Sequence, residues 1–190
     1  MAKLIYFIPF SLDGYIGDEI IGYDWSLPDK EVFAFITDHL RPMGTYLYGR
    51  RMYETMAVWQ TPEVIPDLTA DMREFAQVWQ TADKVVFSKT LKKVSTPNTR
   101  LEQEVDAQAV RDLKSRSSRD ITVGGPKLAA HAIGAGLVDE YQLLIVPALL
   151  GGGIRVLPEE VRVNLELLEQ RQFASGWVYL RYRPRASSSA

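Results

Sequence analysis

Three short segments carry residue types that suit anion binding. Gly124-Gly125-Pro126-Lys127 lies where an apolar run gives way to a helix start. Glycines there let backbone amides approach a ligand, and a helix N-terminus presents unpaired N–H groups with a favourable dipole. The segment is neither a G-x-G-x-x-G fingerprint nor a Walker loop, because it has only two adjacent glycines and no Gly-Lys-Ser/Thr follows. Gly49-Arg50-Arg51 repeats the junction with guanidinium groups that chelate phosphate through paired donors, one arginine of the two being expected to face solvent. Ser88-Lys89-Thr90 adds two hydroxyls and an ammonium. Each segment also has a plain reading, as a tight turn with a helix-starting proline or as a polar loop. If their strands are parallel, all three sit at the C-terminal edge of one sheet, where open α/β folds bind ligands. Together they fit a dinucleotide with an extra phosphate.

Carboxylates and aromatic rings occupy the same expected edge. Asp13, in Ser11-Leu12-Asp13-Gly14, follows the first strand, and Asp29 and Glu31 lie in the first turn of the first helix. Asp29 and Glu31 suit helix N-terminal charges, which leaves Asp13 as the first candidate for proton transfer or for holding a polar ring. Trp25, Phe33 and Tyr53 either wall a pocket for a planar ligand or pack in the core. Gly151-Gly152-Gly153 either admits a ligand or uncouples the last strands from the sheet. His39 and His131 read as helix-surface or partly packed residues. With two histidines and no cysteine, no metal site is expected.

The elements that must position these groups alternate along the chain. Residues 3–10 read as a strand buried on both faces, followed by a loop over 11–17. A helix starts at Pro28-Asp29 and stops before Pro42, a short strand covers 45–48, and a helix follows directly from Gly49 to Met56. Further helices are expected over 67–79, 106–115 and from Pro126 to about Gly134, and further strands over 84–88, 120–123 and 141–147, with a loop over 92–99. Strands over 162–170 and 177–183, turning at Ser175-Gly176, make an antiparallel hairpin that closes a mainly parallel sheet. One domain is expected over 1–184, with a disordered tail over 185–190.

Composition limits the partners. At 190 residues, 46% hydrophobic and 24% charged, the chain is long and apolar enough to bury one sizeable core. Lys and Arg number 22 against 24 Asp and Glu, so there is no basic field for nucleic acid and no polybasic segment for a membrane. The absence of cysteine excludes disulfides and thiol chemistry and suits a reducing cytoplasm.

Five motifs in order resemble the dihydrofolate reductase superfamily, and within it the C-terminal reductase domain of riboflavin-biosynthesis deaminase-reductases. They are Ser11-Leu12-Asp13-Gly14-Tyr15-Ile16, Tyr48-Gly49-Arg50-Arg51-Met52-Tyr53-Glu54, Val86-Phe87-Ser88-Lys89-Thr90-Leu91, Thr122-Val123-Gly124-Gly125-Pro126, and Val138-Asp139-Glu140-Tyr141 through Gly152. The resemblance implies a three-layer α/β fold with a mainly parallel eight-stranded sheet, NADPH as hydride donor, reduction of a small polar heterocycle such as 5-amino-6-(5-phosphoribosylamino)uracil, and a homodimer. By motif, Gly49 and Arg50 fall on the cofactor phosphates, Ser88 and Lys89 on the 2′-phosphate region, and Gly124 and Gly125 on the pyrophosphate. The full candidate set adds Arg51, Met52, Thr90, Pro126 and Lys127 toward the cofactor. Toward the substrate it adds Ser11, Trp25, Phe33, Tyr53, Gly151 and Gly152, with Asp13 as the catalytic candidate. Met52 stands where dihydrofolate reductases carry a Thr hydroxyl, and the position aligned to their folate-binding carboxylate falls at Lys30 beside Asp29 and Glu31. Folate reduction is therefore an alternative rather than the first reading, as is a nucleotide-binding module without chemistry.

Overall fold

The computed structural model describes residues 1–17 and 22–185. The chain runs β1 (Leu4–Ser11), β2 (Tyr15–Ile16), α1 (Lys30–Leu40), β3 (Thr45–Gly49), α2 (Arg50–Met56), α3 (Ala70–Thr81), β4 (Asp83–Phe87), β5 (Thr99–Glu102), α4 (Ala107–Arg116), β6 (Ile121–Gly124), α5 (Pro126–Gly134), β7 (Glu140–Val146), β8 (Ile154–Arg155), β9 (Leu165–Gln172) and β10 (Val178–Pro184). Eight strands form one sheet in the order β5-β4-β3-β6-β1-β7-β10-β9. The first six are mutually parallel; β10 is antiparallel to both its neighbours, so the closing hairpin is antiparallel as expected.

Side-chain alternation along the central strand builds two cores. Leu4, Tyr6, Ile8 and Phe10 of β1 pack with Leu128, Ala129, Ala132 and Ile133 of α5 and with Val110 of α4. Ile5 and Phe7 face the other way, among Val32 and Phe35 of α1 and Phe75 and Trp79 of α3. The result is three layers with the sheet in the middle. The starts of α1, α3 and α4 are set by short polar caps: Asp29 accepts from Val32 N, Thr69 from Met72 N, and Asp106 from Gln108 N and Ala109 N.

α3, β5, the β2–β8 pair and β9 depart from the sequence reading. α3 starts at Ala70 rather than near residue 67, because Asp67 takes a left-handed backbone (φ 52°) and Thr69 supplies the cap. The end of the expected loop over 92–99 instead begins an edge strand, β5, whose Thr99-Arg100-Leu101-Glu102 is exposed at every second residue and shows no apolar run. The segment read as the loop over 11–17 and the residues just after the turn at 151–153 are joined by a two-stranded ladder in which Tyr15 pairs with Arg155 and Ile16 with Ile154. In addition, β9 begins at Leu165, and its register with β10 slips between Arg181 and Tyr182, so it runs slightly later than expected and bulges. Arg185 N donates to Asn164 O, and the rest of the tail expected to be disordered, residues 186–190, lies outside the described residues.

One buried charge stands at the base of the sheet. Lys84, 1% exposed, donates to Trp79 O at 3.0 Å and Ala82 O at 2.8 Å, and its ammonium lies 4.3 Å from the Trp79 ring centroid. It thereby caps the carbonyl end of α3. Burial pulls its pKa from the usual 10.5 down to about 8.

Candidate active site

The parallel strands β4, β3, β6, β1 and β7 finish along one edge, at Phe87, Gly49, Gly124, Ser11 and Val146. On the β5 side of that edge lies a cleft of about 400 Å³, lined by Gly49, Phe87, Ser88, Lys89, Gln103, Glu104, Val105, Lys127, Leu128 and His131. A smaller depression of about 220 Å³, between Arg41 and residues Glu74, Gln77, Val78 and Thr81 of α3, is remote from the strand ends.

The three anion-type segments meet around the cleft. β3 passes into α2 without a linker, so Arg50 starts α2 as soon as the strand ends. Its Nε donates to Glu54 at 2.7 Å and its Nη1 to Thr90 Oγ1 at 3.0 Å. Ser88 Oγ accepts from Thr90 N and Leu91 N, which folds the loop after β4 back toward Arg50. Lys89 reaches Glu104 at 2.5 Å. Arg51 is exposed, and its carbonyl accepts from Thr55 Oγ1.

Both glycines at the β6–α5 junction answer to packing as well as to any ligand. A Cβ on Gly124 would stand 2.7 Å from the Tyr48 ring, and Gly125 has φ +91° with Met52 Cβ 3.4 Å from where its own Cβ would lie. Met52, expected on the cofactor side, thus packs against the junction. Tyr48 is buried and accepts from Trp79 Nε1 at 3.2 Å, so its ring has little room to yield. Gly124→Ala is therefore expected to lower stability by about 1–3 kcal/mol, as overpacking does, measured by urea unfolding. No loss would mean that the ring can move. Beyond the glycines, Pro126 opens α5, Lys127 lies in its first turn, and His131 follows one turn on with Nδ1 2.8 Å from Lys127 O.

The β1–β7 side of the edge is organised by Asp13. Its carboxylate accepts from Ser11 Oγ at 2.5 Å, from Gly151 N at 2.7 Å and from Leu150 N at 3.2 Å, while Leu12 N donates to Ala148 O. Two loops more than 130 residues apart in sequence are thereby held together. Those bonds, the one from Ser11 first, keep the Asp13 pKa below the usual carboxylate value, so the group is an ionised acceptor at neutral pH. Such a group holds and orients; it has no proton of its own to give.

Other expected site residues are placed differently. Tyr53 is 3% exposed, and its hydroxyl accepts from Ser95 N at 2.8 Å and from Thr96 N at 3.2 Å, so it anchors a loop within the core. Phe33 packs on Phe75 and Trp59, with ring centroids 5.5 and 6.4 Å apart, and Trp25 Nε1 donates to Gly22 O. Both rings are half-buried against the α1–α3 core. Ser11 is fully buried as a partner of Asp13, and Gly151 and Gly152 stay at the surface or half-buried. Phe87, Gln103, Glu104, Val105 and Leu128 also line the cleft, and nothing in the sequence singles them out, because they come together only through the pairing of β5 with β4 and the facing of α5. His131, expected as a helix-surface or partly packed residue, is exposed on α5 and also lines the cleft; its spacing of four from Lys127 was the available signal for that.

The model of the RibD C-terminal domain family matches residues 2–179. The uncharacterized protein YyaP of Bacillus subtilis (strain 168) is 29% identical over 182 residues, covering 95% of this chain and 94% of that protein. Among solved structures, a Shewanella sp. PV-4 protein provisionally described as a riboflavin biosynthesis protein superposes with TM-score 0.74 at 20% identity, covering 98% of this chain and all (100%) of that one. A pyrimidine reductase-like protein of Corynebacterium diphtheriae gives 0.67 at 13%, covering 98% and 93% of the two chains. The diaminohydroxyphosphoribosylaminopyrimidine deaminase/5-amino-6-(5-phosphoribosylamino)uracil reductase of Thermotoga maritima gives 0.66 at 16%; the match covers 97% of this chain and 57% of that longer one.

Proposed function

This chain belongs to the RibD C-terminal domain family, and from that membership we propose that it is an NADPH-dependent reductase of a small polar heterocycle, most like 5-amino-6-(5-phosphoribosylamino)uracil. The observation that supports this reading most is the meeting, on one sheet edge, of the Gly124–Gly125 entry to α5 with Arg50, Ser88, Lys89 and Lys127. The cleft, of about 400 Å³, is lined by Lys89 and Lys127 as well as Glu104 and has room for a nucleotide phosphate. In the proposal Gly49 and Arg50, with Thr90, hold the cofactor phosphates, Ser88 and Lys89 the 2′-phosphate, and the α5 N-terminus the pyrophosphate. NADPH supplies a hydride when bound. Asp13 acts from the neighbouring strand end as a positioning residue, fixing the 148–153 loop beside the reacting groups.

Incubation with a panel of pteridine and ribosylaminopyrimidine substrates, following loss of NADPH absorbance, tests the activity. Turnover of the ribosylaminopyrimidine is the expected result; turnover of dihydropteridines alone would favour folate-type reduction, and no turnover with intact NADPH binding would favour a binding module. Arg50→Ala is expected to weaken NADPH binding by about 1.5–3 kcal/mol, the scale of a lost charge-assisted bond, with a smaller loss for Arg51→Ala. A larger loss at Arg51 would reassign the phosphate contact.

The proposal includes a homodimer. The β9–β10 hairpin leaves Leu167 46% exposed, beside the half-buried Leu165, Leu180 and Tyr182. Sedimentation at micromolar concentration should give about twice the chain mass of 21.5 kDa, and the single-chain mass would remove this part. A cytoplasmic location rests on the cysteine-free composition. Among the described residues, no helix is long and apolar enough to cross a membrane.

A further inference from the structure

The cations in and beside the cleft are not equally available. Arg50 is held by Glu54 and Lys89 by Glu104, whereas Lys127 has no carboxylate partner among the described residues. Lys127 lies in the first turn of α5, where the helix dipole disfavours a positive charge, so a ligand anion there relieves a cost that folding leaves standing. Lys89 is in the opposite situation. Ser88 N donates to Glu102 O at 2.9 Å, which carries the β4–β5 pairing one residue past the end of β4 and brings the loop after β4 beside the residues that follow β5. The Glu104 carboxylate consequently sits 2.5 Å from the Lys89 ammonium, in direct contact, on the donor group that a bound phosphate oxygen would use.

We propose that Glu104 is a built-in counter-anion for Lys89, occupying the ligand's 2′-phosphate position in the free protein and setting how strongly the cleft prefers phosphorylated over unphosphorylated ribose. The inference rests on the nucleotide reading of the cleft given above. A dianionic phosphate entering beside Lys89 must either displace the carboxylate or lie next to it, and both lower its affinity. A ligand lacking that phosphate leaves the pair intact. The side chains are 71% and 70% exposed, so water screens the pair and its effect is modest.

The test is calorimetric titration with 2′,5′-ADP and with 5′-AMP, using the wild type, Glu104→Gln and the neighbouring control Glu102→Gln. Glu102 pairs with Arg100 at 3.4 Å and does not line the cleft. Glu104→Gln should tighten 2′,5′-ADP by about three- to fivefold, shift 5′-AMP by less than about twofold, and differ in this from Glu102→Gln. Unchanged or weaker 2′,5′-ADP binding in Glu104→Gln, with wild-type binding intact, would overturn the inference and leave the nucleotide reading standing. Equal tightening of both ligands would also overturn it, since the carboxylate would then act on the cleft as a whole. Failure of every variant to bind either nucleotide would remove the nucleotide reading and this inference together.

Discussion

Asp13→Asn should slow turnover by roughly 10²-fold or more while leaving NADPH affinity within about twofold. The reason lies in the bonds its carboxylate accepts. One of its oxygens faces Ser11 Oγ, and both face the amides of Leu150 and Gly151, so an Asn side chain would turn an NH₂ toward a backbone N–H. The 148–153 loop would lose its tether to β1, and a displacement of about 1 Å near reacting groups is enough for a loss of that size. A pH profile separates positioning from proton transfer. Because the folded-state pKa of Asp13 is depressed, its bonds are complete above the ordinary carboxylate range and are lost only as pH falls through the lowered value. Wild-type activity should therefore show no ionisation of Asp13 near neutral pH. An acid limb near neutrality that disappears in Asp13→Asn would instead make Asp13 a proton donor. Loss of NADPH binding together with turnover would mean that it shapes the cofactor loop, and activity retained in full would return it to the role of an ordinary turn residue.

Lys84→Met should cost about 2–4 kcal/mol of stability at neutral pH, because it leaves the carbonyls of Trp79 and Ala82 buried without their donor. The same site has a pH signature. With a folded-state pKa of about 8 against the ordinary 10.5, the unfolded chain binds more protons between those values, so wild-type stability rises across that window. Methionine does not titrate. The gap between wild type and variant, measured by urea unfolding from pH 7 to about pH 10, should therefore widen. A gap that narrows would mean the charge on Lys84, rather than its donor groups, is what stabilises the end of α3.

The alternation that predicts the sheet is legible because β1, β3, β4, β6 and β7 are buried on both faces and read as apolar runs between helix signals. What escapes has little hydrophobic content to betray it. β5 is an edge strand of Thr99-Arg100-Leu101-Glu102, and β2 and β8 are two residues each, stabilised by each other rather than by local sequence. The candidate site divides along the same line. Glycines and cations at strand-to-helix junctions are visible because backbone geometry and phosphate chemistry both demand those types at those places. Glu104 is invisible until β5 is paired with β4. The aromatic candidates show the limit from the other side, since the sequence leaves Tyr53 and Phe33 open between a pocket wall and the core, and the structure packs them into the α1–α3 core. For Asp13, the sequence shows a carboxylate after a strand, but its partners at Leu150 and Gly151 become neighbours only when β1 and β7 pair.

That the strand-end cleft is a site for a 2′-phosphorylated dinucleotide can be checked by titrating the protein with NADPH and with NADH under identical conditions, following its tryptophan fluorescence. Both should bind saturably, with NADPH tighter by about tenfold or more, as expected for a charge-assisted contact to the extra phosphate. Equal affinities, or no binding of NADPH, would contradict it.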